Sequence, residues 1–190
     1  YPTLLVSLDF WLPTITFALS FSIFGIFFIG GPYIAVKVFN LSPTTMGLYL
    51  AFPSLGYVLG NILISKIANR VSTKKLMIIG SFVLLLGPLS SLILSYLFFH
   101  PLSFFLPILI MTFGSGIIWP ASNAEIVKAV PHLAGSASGL GSAIMTLMSS
   151  FAAFLTGFYI ENLNPIDFVC YFLILVGVLS FLSSLLTKSE

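Results

Sequence analysis

Charge is what this sequence has least of, and the shortage decides its solvent. Only 6% of the 190 residues are charged, against about 25% in soluble domains. A surface so poor in ions is not a water-facing one, so the remaining solvent is lipid. Cysteine is nearly missing too. Cys170 stands alone, which excludes an internal disulfide and leaves the redox compartment open. Histidine is confined to His100 and His132, both at loop boundaries, and no cofactor or metal motif is present. There is no run of ten-residue alternating segments, so a membrane β-barrel is excluded. No signal peptide leads into a soluble domain. Tyr1 replaces an initiator methionine, so the chain is expected to be a fragment or a processed piece of a longer protein.

What the sequence has in abundance is apolar length: 58% of residues are hydrophobic and 20 are phenylalanine. A hydrocarbon core of about 30 Å needs roughly 20 apolar residues in helix. Such stretches occur at about 13–36, 46–67, 76–99, 103–127, 133–160 and 166–186. Helices are the only spanning element that satisfies its own backbone in lipid. The separators are turn and cap chemistry: Asn40-Leu41-Ser42-Pro43, His100-Pro101 and Asn162-Leu163-Asn164-Pro165. The expected fold is therefore all-α, with six transmembrane helices in one domain.

The few charges then orient the bundle. Lys66, Arg70, Lys74 and Lys75 flank the second loop, Lys128 the fourth, and Lys188 the C-terminal tail, while Lys37 alone falls on the opposite side. Cationic side chains resist translocation, so both termini are expected on the cytoplasmic side of a plasma membrane, the inner membrane if the source is bacterial. The formal net charge of +2 says little by itself. The expected partners are membrane lipid and a small solute, with no nucleic acid.

The chain also divides into two triplets of helices that enter from opposite sides. The first helix of each carries breakers: Gly30-Gly31-Pro32 in one, Gly114, Gly116 and Pro120 in the other. A 3+3 inverted repeat with Gly/Pro-interrupted helices at corresponding places points to the binding region of a transporter.

Four segments carry a resemblance. Ser65-Lys66-Ile67-Ala68-Asn69-Arg70-Val71-Ser72-Thr73-Lys74-Lys75 resembles the cytoplasmic loop motif G-x-L-A-D-R-x-G-R-K of the major facilitator superfamily. Ile67, Ala68, Arg70 and Lys74 match it; Ser65 and Ser72 stand where glycines usually lie, and Asn69 replaces the aspartate. Pro131-His132-Leu133-Ala134-Gly135-Ser136-Ala137-Ser138-Gly139-Leu140 resembles the segment that opens the eleventh helix in drug:proton antiporters of the Bcr/CflA type. Phe28 to Tyr33 with Leu41-Ser42-Pro43 resembles their seventh helix and outer loop, and Phe113 to Ser122 their tenth. The matches touch five of the six spans.

The resemblance implies the C-terminal half of such a carrier, helices seven to twelve, with the N-terminal six-helix half as its partner. It implies that the first, second, fourth and fifth helices line a central cavity that Tyr33, Asn61, Trp119, Asn123 and Met145 reach, and that two halves rock about a midplane site. The expected activity is solute transport, most concretely proton-coupled drug or metabolite efflux, with no enzymatic step. Ser65, Asn69, Arg70, Ser72 and Lys74 form the loop motif. With Asp9 expected before the first span and Glu161 and Asp167 at the border of the outer loop, Glu125 is the only acid expected well within a helix, and Lys128 three residues later is placed to pair with it. That pair suits a gate better than a proton carrier, so the coupling acids are expected in the other half.

Gly135 and Gly139 form a small-x-x-x-small pair, expected to bring helix backbones together. Ser138, Ser142, Thr146 and Ser149 follow on one face, where hydroxyls bond helix carbonyls or a neighbouring helix. The stripe Phe17, Phe21, Phe24 and Phe28 reads as packed or lipid-facing. Two alternatives remain. Gly135-Ser136-Ala137-Ser138-Gly139 approximates the nucleophile motif of a six-helix intramembrane serine protease, but no histidine lies in a nearby helix to take the serine proton. A nonfunctional transporter fragment is the other.

Overall fold

The computed structural model describes residues 7–187, so Lys188 of the charge argument lies outside the described residues. Helix dominates these residues, and they contain no strand. The helices are α1 (Leu8–Tyr33), α2 (Pro43–Leu50), α3 (Phe52–Ile67), α4 (Thr73–Leu97), α5 (Pro101–Ala129), α6 (Ala134–Tyr159) and α7 (Pro165–Leu186). A π-type turn, Ile34–Val38, prolongs α1, while α2 and α3 form one span interrupted at Ala51. Among the described residues, six segments are thus long and apolar enough to cross a membrane.

The second, fourth and sixth spans open at the same end of the bundle, each on a cap followed by proline. The Thr45 N–H donates to Ser42 Oγ (3.3 Å), Leu102 N–H to His100 Nδ1 (3.1 Å) and Ile166 N–H to Asn164 Oδ1 (3.2 Å). Pro43, Pro101 and Pro165 follow as first helical residues, where proline's missing N–H costs nothing. These prolines start helices. The first span ends before Asn40, whose φ of 50° is a left-handed value that asparagine tolerates better than most residues.

The two triplets exchange partners. α1, which leads the first, packs on α6 and α7; α5, which leads the second, packs on α3 and α4; and α1 and α5 also touch each other. Lipid is as apolar as leucine and gives helices no hydrophobic reason to associate, so close backbone approach must hold them. Small residues supply it. A Cβ on Gly56 or Gly60 of α3 would run into the carbonyls of Leu109 and Phe113 in α5, and one on Gly116 into Tyr57 O. On the other face of α5, Gly114 meets the backbone of Gly80 and Leu84 in α4. The equivalent seam on α1 sets Gly25 against Ser149 of α6.

The first span loosens into its π-type turn beyond Pro32, but α5 runs unbroken through Gly114, Gly116 and Pro120. The expected interruption of both lead helices therefore holds only for the first. In α5 the glycines serve contact with two neighbours. Gly135 and Gly139 bring no two of the described helices together, since no described atom lies within 4 Å of a Cβ at either position. The stripe that α6 buries is Ala137, Gly141, Ser149, Ala152 and Thr156. Gly139 lies two residues from Gly141, about 200° around the helix, and so faces away from α1.

The main core joins Ile23, Ile26 and Phe27 of α1 with Leu84, Phe104, Phe105, Ile108 and Leu173. Buried hydroxyls close on their own helices, as Thr14 does on Phe10 O and Ser115 on Met111 O. Others cross between helices: Thr16 Oγ1 donates to Ser183 Oγ (3.0 Å), and Ser91 Oγ to Phe104 O (3.0 Å). The flanking spans are left barest. Only 22% of the most apolar stretch of the second span and 17% of that of the fifth is buried.

Candidate functional site

Trp119, in the middle of α5, gathers an aromatic wall. Its ring centroid lies 4.6 Å from Phe21 and 5.0 Å from Phe24 of α1, and 4.9 Å from Tyr57 of α3. Phe21 and Phe24 are one helical turn apart, and Tyr57 meets Phe24 edge-on at 6.5 Å. Three helices are needed to build this wall. The indole Nε1 is buried and has no hydrogen-bond partner among the described residues. An unpaired buried donor costs about 1–3 kcal/mol, and such an atom next to aromatic faces suits a ligand carrying an acceptor.

The other expected cavity residues divide. Asn123, one turn beyond Trp119, accepts a hydrogen bond from Ser138 Oγ at 3.1 Å, which ties α5 to α6. Asn61 donates to Tyr57 O of its own helix at 2.9 Å, steadying the turn that presents Tyr57. Met145 packs with Phe10, Phe17 and Ile126 beside Trp119. Tyr33 does not join them. It lines a separate cavity of about 760 Å³ with Lys37, Tyr96, Glu161 and Asp167. Tyr33 follows Phe24 by nine residues, a rise of about 13 Å along the helix, which carries it to the bundle's end.

The phenylalanine stripe resolves by position: Phe17 is buried, Phe21 and Phe24 pack on Trp119, and Phe28 is 61% exposed. Along α6, Thr146 Oγ1 bonds Ser142 O and Ser149 seats Gly25. Ser138 bonds an amide, Asn123.

At the opposite end of the bundle from Tyr33, Glu125 and Lys128 form the expected ion pair at 3.2 Å. The sequence did not reveal its third member. Thr73, the first residue of α4, donates from Oγ1 to Glu125 Oε1 and accepts from Lys128 Nζ at 3.2 Å. This triad pins the loop between the second and third spans to the end of α5. Within the rest of the loop motif, Ser65 bonds Ile62 O in its own helix. Asn69, Arg70 and Ser72 are exposed, Lys74 is half-buried, and neither Arg70 nor Lys74 makes an ion pair with a described residue.

The molecule thus carries a partly exposed aromatic surface with a buried, unpartnered indole donor behind it, and a small polar triad that joins the start of α4 to the end of α5. No curated protein matches the chain. The sequence model of the family described as Major Facilitator Superfamily matches residues 2–189.

Proposed function

The chain belongs to the major facilitator superfamily, a family of membrane transporters, and on that premise we propose that it is the C-terminal half of a proton-coupled exporter of drug-like or metabolite-sized solutes, of the Bcr/CflA type. The observation that carries this reading is the wall of Phe21, Phe24, Tyr57 and Trp119 with its unpartnered indole N–H. Aromatic faces accept apolar and cationic groups without a fixed charge, and the lone donor selects an acceptor among them.

The second span, which contributes Tyr57 to this wall, and the fifth span are the least covered, as expected of surfaces that meet an N-terminal six-helix half. That half is the proposed partner, and the cavity lies between the two. The loop carrying Arg70 and Lys74, and both termini, belong on the cytoplasmic side of a plasma membrane, the inner one in a bacterium. Glu125, held by Lys128 and Thr73, is a cytoplasmic gate contact. Proton coupling is assigned to acids of the N-terminal half.

The test is solute export by the complete carrier in inverted vesicles under an imposed pH gradient. Trp119→Ala removes the ring and the donor and should raise KM about tenfold, since aromatic pairs are worth roughly 0.5–1.5 kcal/mol each and 1.4 kcal/mol is a factor of about ten. Trp119→Phe should recover part of the loss. Unchanged KM and kcat in a folded Trp119→Ala carrier would remove this wall from the substrate path.

A further inference from the structure

The cavity that holds Tyr33 is built from the ends of the first and third spans and the loop before the sixth. Its polar lining includes Lys37, Ser95, Tyr96, Glu161 and Asp167. It shares Leu163, Asn164 and Asp167 with a second groove of about 460 Å³, which runs along α7 over Phe168, Tyr171, Phe172 and Leu175. A charged chamber therefore opens at the level of the helix ends and continues into an apolar trough along a span.

Helix ends explain two of its charges. Asp167 sits in the first turn of α7 and Lys37 at the close of the first span, where each complements the helix dipole. Glu161 has no such reason. It follows the C-terminus of α6 at Tyr159, the end where a negative charge is disfavoured. Neither Glu161 nor Lys37 makes an ion pair with a described residue. Ser95 adds a buried Oγ without a hydrogen-bond partner among the described residues. Tyr96 lines the chamber together with Asp167, and Tyr171 lines the trough beyond it.

We propose that the joined groove binds one phospholipid whose headgroup carries both a phosphate and a primary ammonium. The ammonium offers three N–H donors to the Glu161 and Asp167 carboxylates. Lys37 takes the phosphate as a point charge. One acyl chain lies along Phe168, Phe172 and Leu175. A headgroup with phosphate alone would meet two carboxylates, and a quaternary ammonium has no N–H to give them.

Native mass spectrometry of the purified, delipidated chain tests this with lipids of identical acyl chains and phosphoethanolamine, phosphocholine or phosphoglycerol headgroups. One phosphoethanolamine lipid should bind about tenfold more tightly than the other two, the range expected for hydrogen bonds to charged groups. Asp167→Asn and Glu161→Gln should each erase that preference, and Lys37→Met should weaken all three lipids alike. Unchanged melting in lipid-free detergent certifies each variant's fold. A variant that fails is replaced by Asp167→Ser or Glu161→Ala, which should erase the preference in the same way. Equal binding of the three lipids, or a preference that survives these substitutions, overturns the proposal. So does full competition by glycerophosphoethanolamine without acyl chains, which would make the cavity a site for a soluble amine.

Discussion

At the scale of single residues, the contacts legible in the sequence are those within one helix turn. Glu125 and Lys128 are three residues apart, and their pairing follows from helix geometry. Thr73 is 52 residues from Glu125, and no periodicity announces such a contact. Trp119 stands out as an indole deep in a span, but its partners come from two other helices. The triad's energy is modest because Lys128 is 55% exposed; an exposed pair contributes about 0.2–1 kcal/mol. Thr73→Val should therefore lower stability by no more than about 1 kcal/mol. In the complete carrier, Glu125→Gln should change the export rate several-fold while export still follows the pH gradient. If Glu125→Gln binds solute normally but loses all proton coupling, the proton site lies in this half.

Helices are governed by which face is small. The Gly135/Gly139 spacing has the right form for close packing, but form alone does not say which way the face points. The stripe through Ala137, Gly141 and Ala152 is less conspicuous in sequence and is the one buried. On the matching span, Pro53, Gly56, Gly60 and Ile64 are buried in the same manner. Helix existence was legible from hydropathy, since 20-residue apolar runs allow nothing else. Helix ends were less so: the first span begins at Leu8 rather than Pro13, and the second is interrupted at Ala51. Gly60→Leu should abolish most folded yield of the 190-residue chain, as its side chain would strike the Phe113 carbonyl and Gly116. Gly139→Leu, opening on free space, should leave that yield within about twofold. Equal loss from both, measured by size-exclusion recovery in detergent, would mean that α6 is rotated from the orientation described.

For the whole molecule, the sequence yields six spans and a repeat of three, and the structure adds how the triplets are joined. Each lead helix packs on the other triplet's second and third helices. That exchange is invisible to hydropathy, which sees segments and not neighbours. The orientation rests on basic residues and has a direct check. With Cys170→Ser as background, a cysteine at Ser72 should be shielded from an impermeant thiol reagent in intact cells, and one at Asn162 should be labelled. The reverse pattern would invert the topology and move the Glu125 triad to the outer side.

The central claim is that these helices form one wall of a cavity whose other wall is a second six-helix body. Solute flux through liposomes containing the purified 190-residue chain tests it most directly, with cross-linking to select preparations in which the chain is monomeric. The account predicts uptake indistinguishable from protein-free liposomes, under a pH gradient or without one, because one wall encloses no path. Saturable uptake by the monomeric chain, abolished by Trp119→Ala, would contradict it and make this chain a complete carrier.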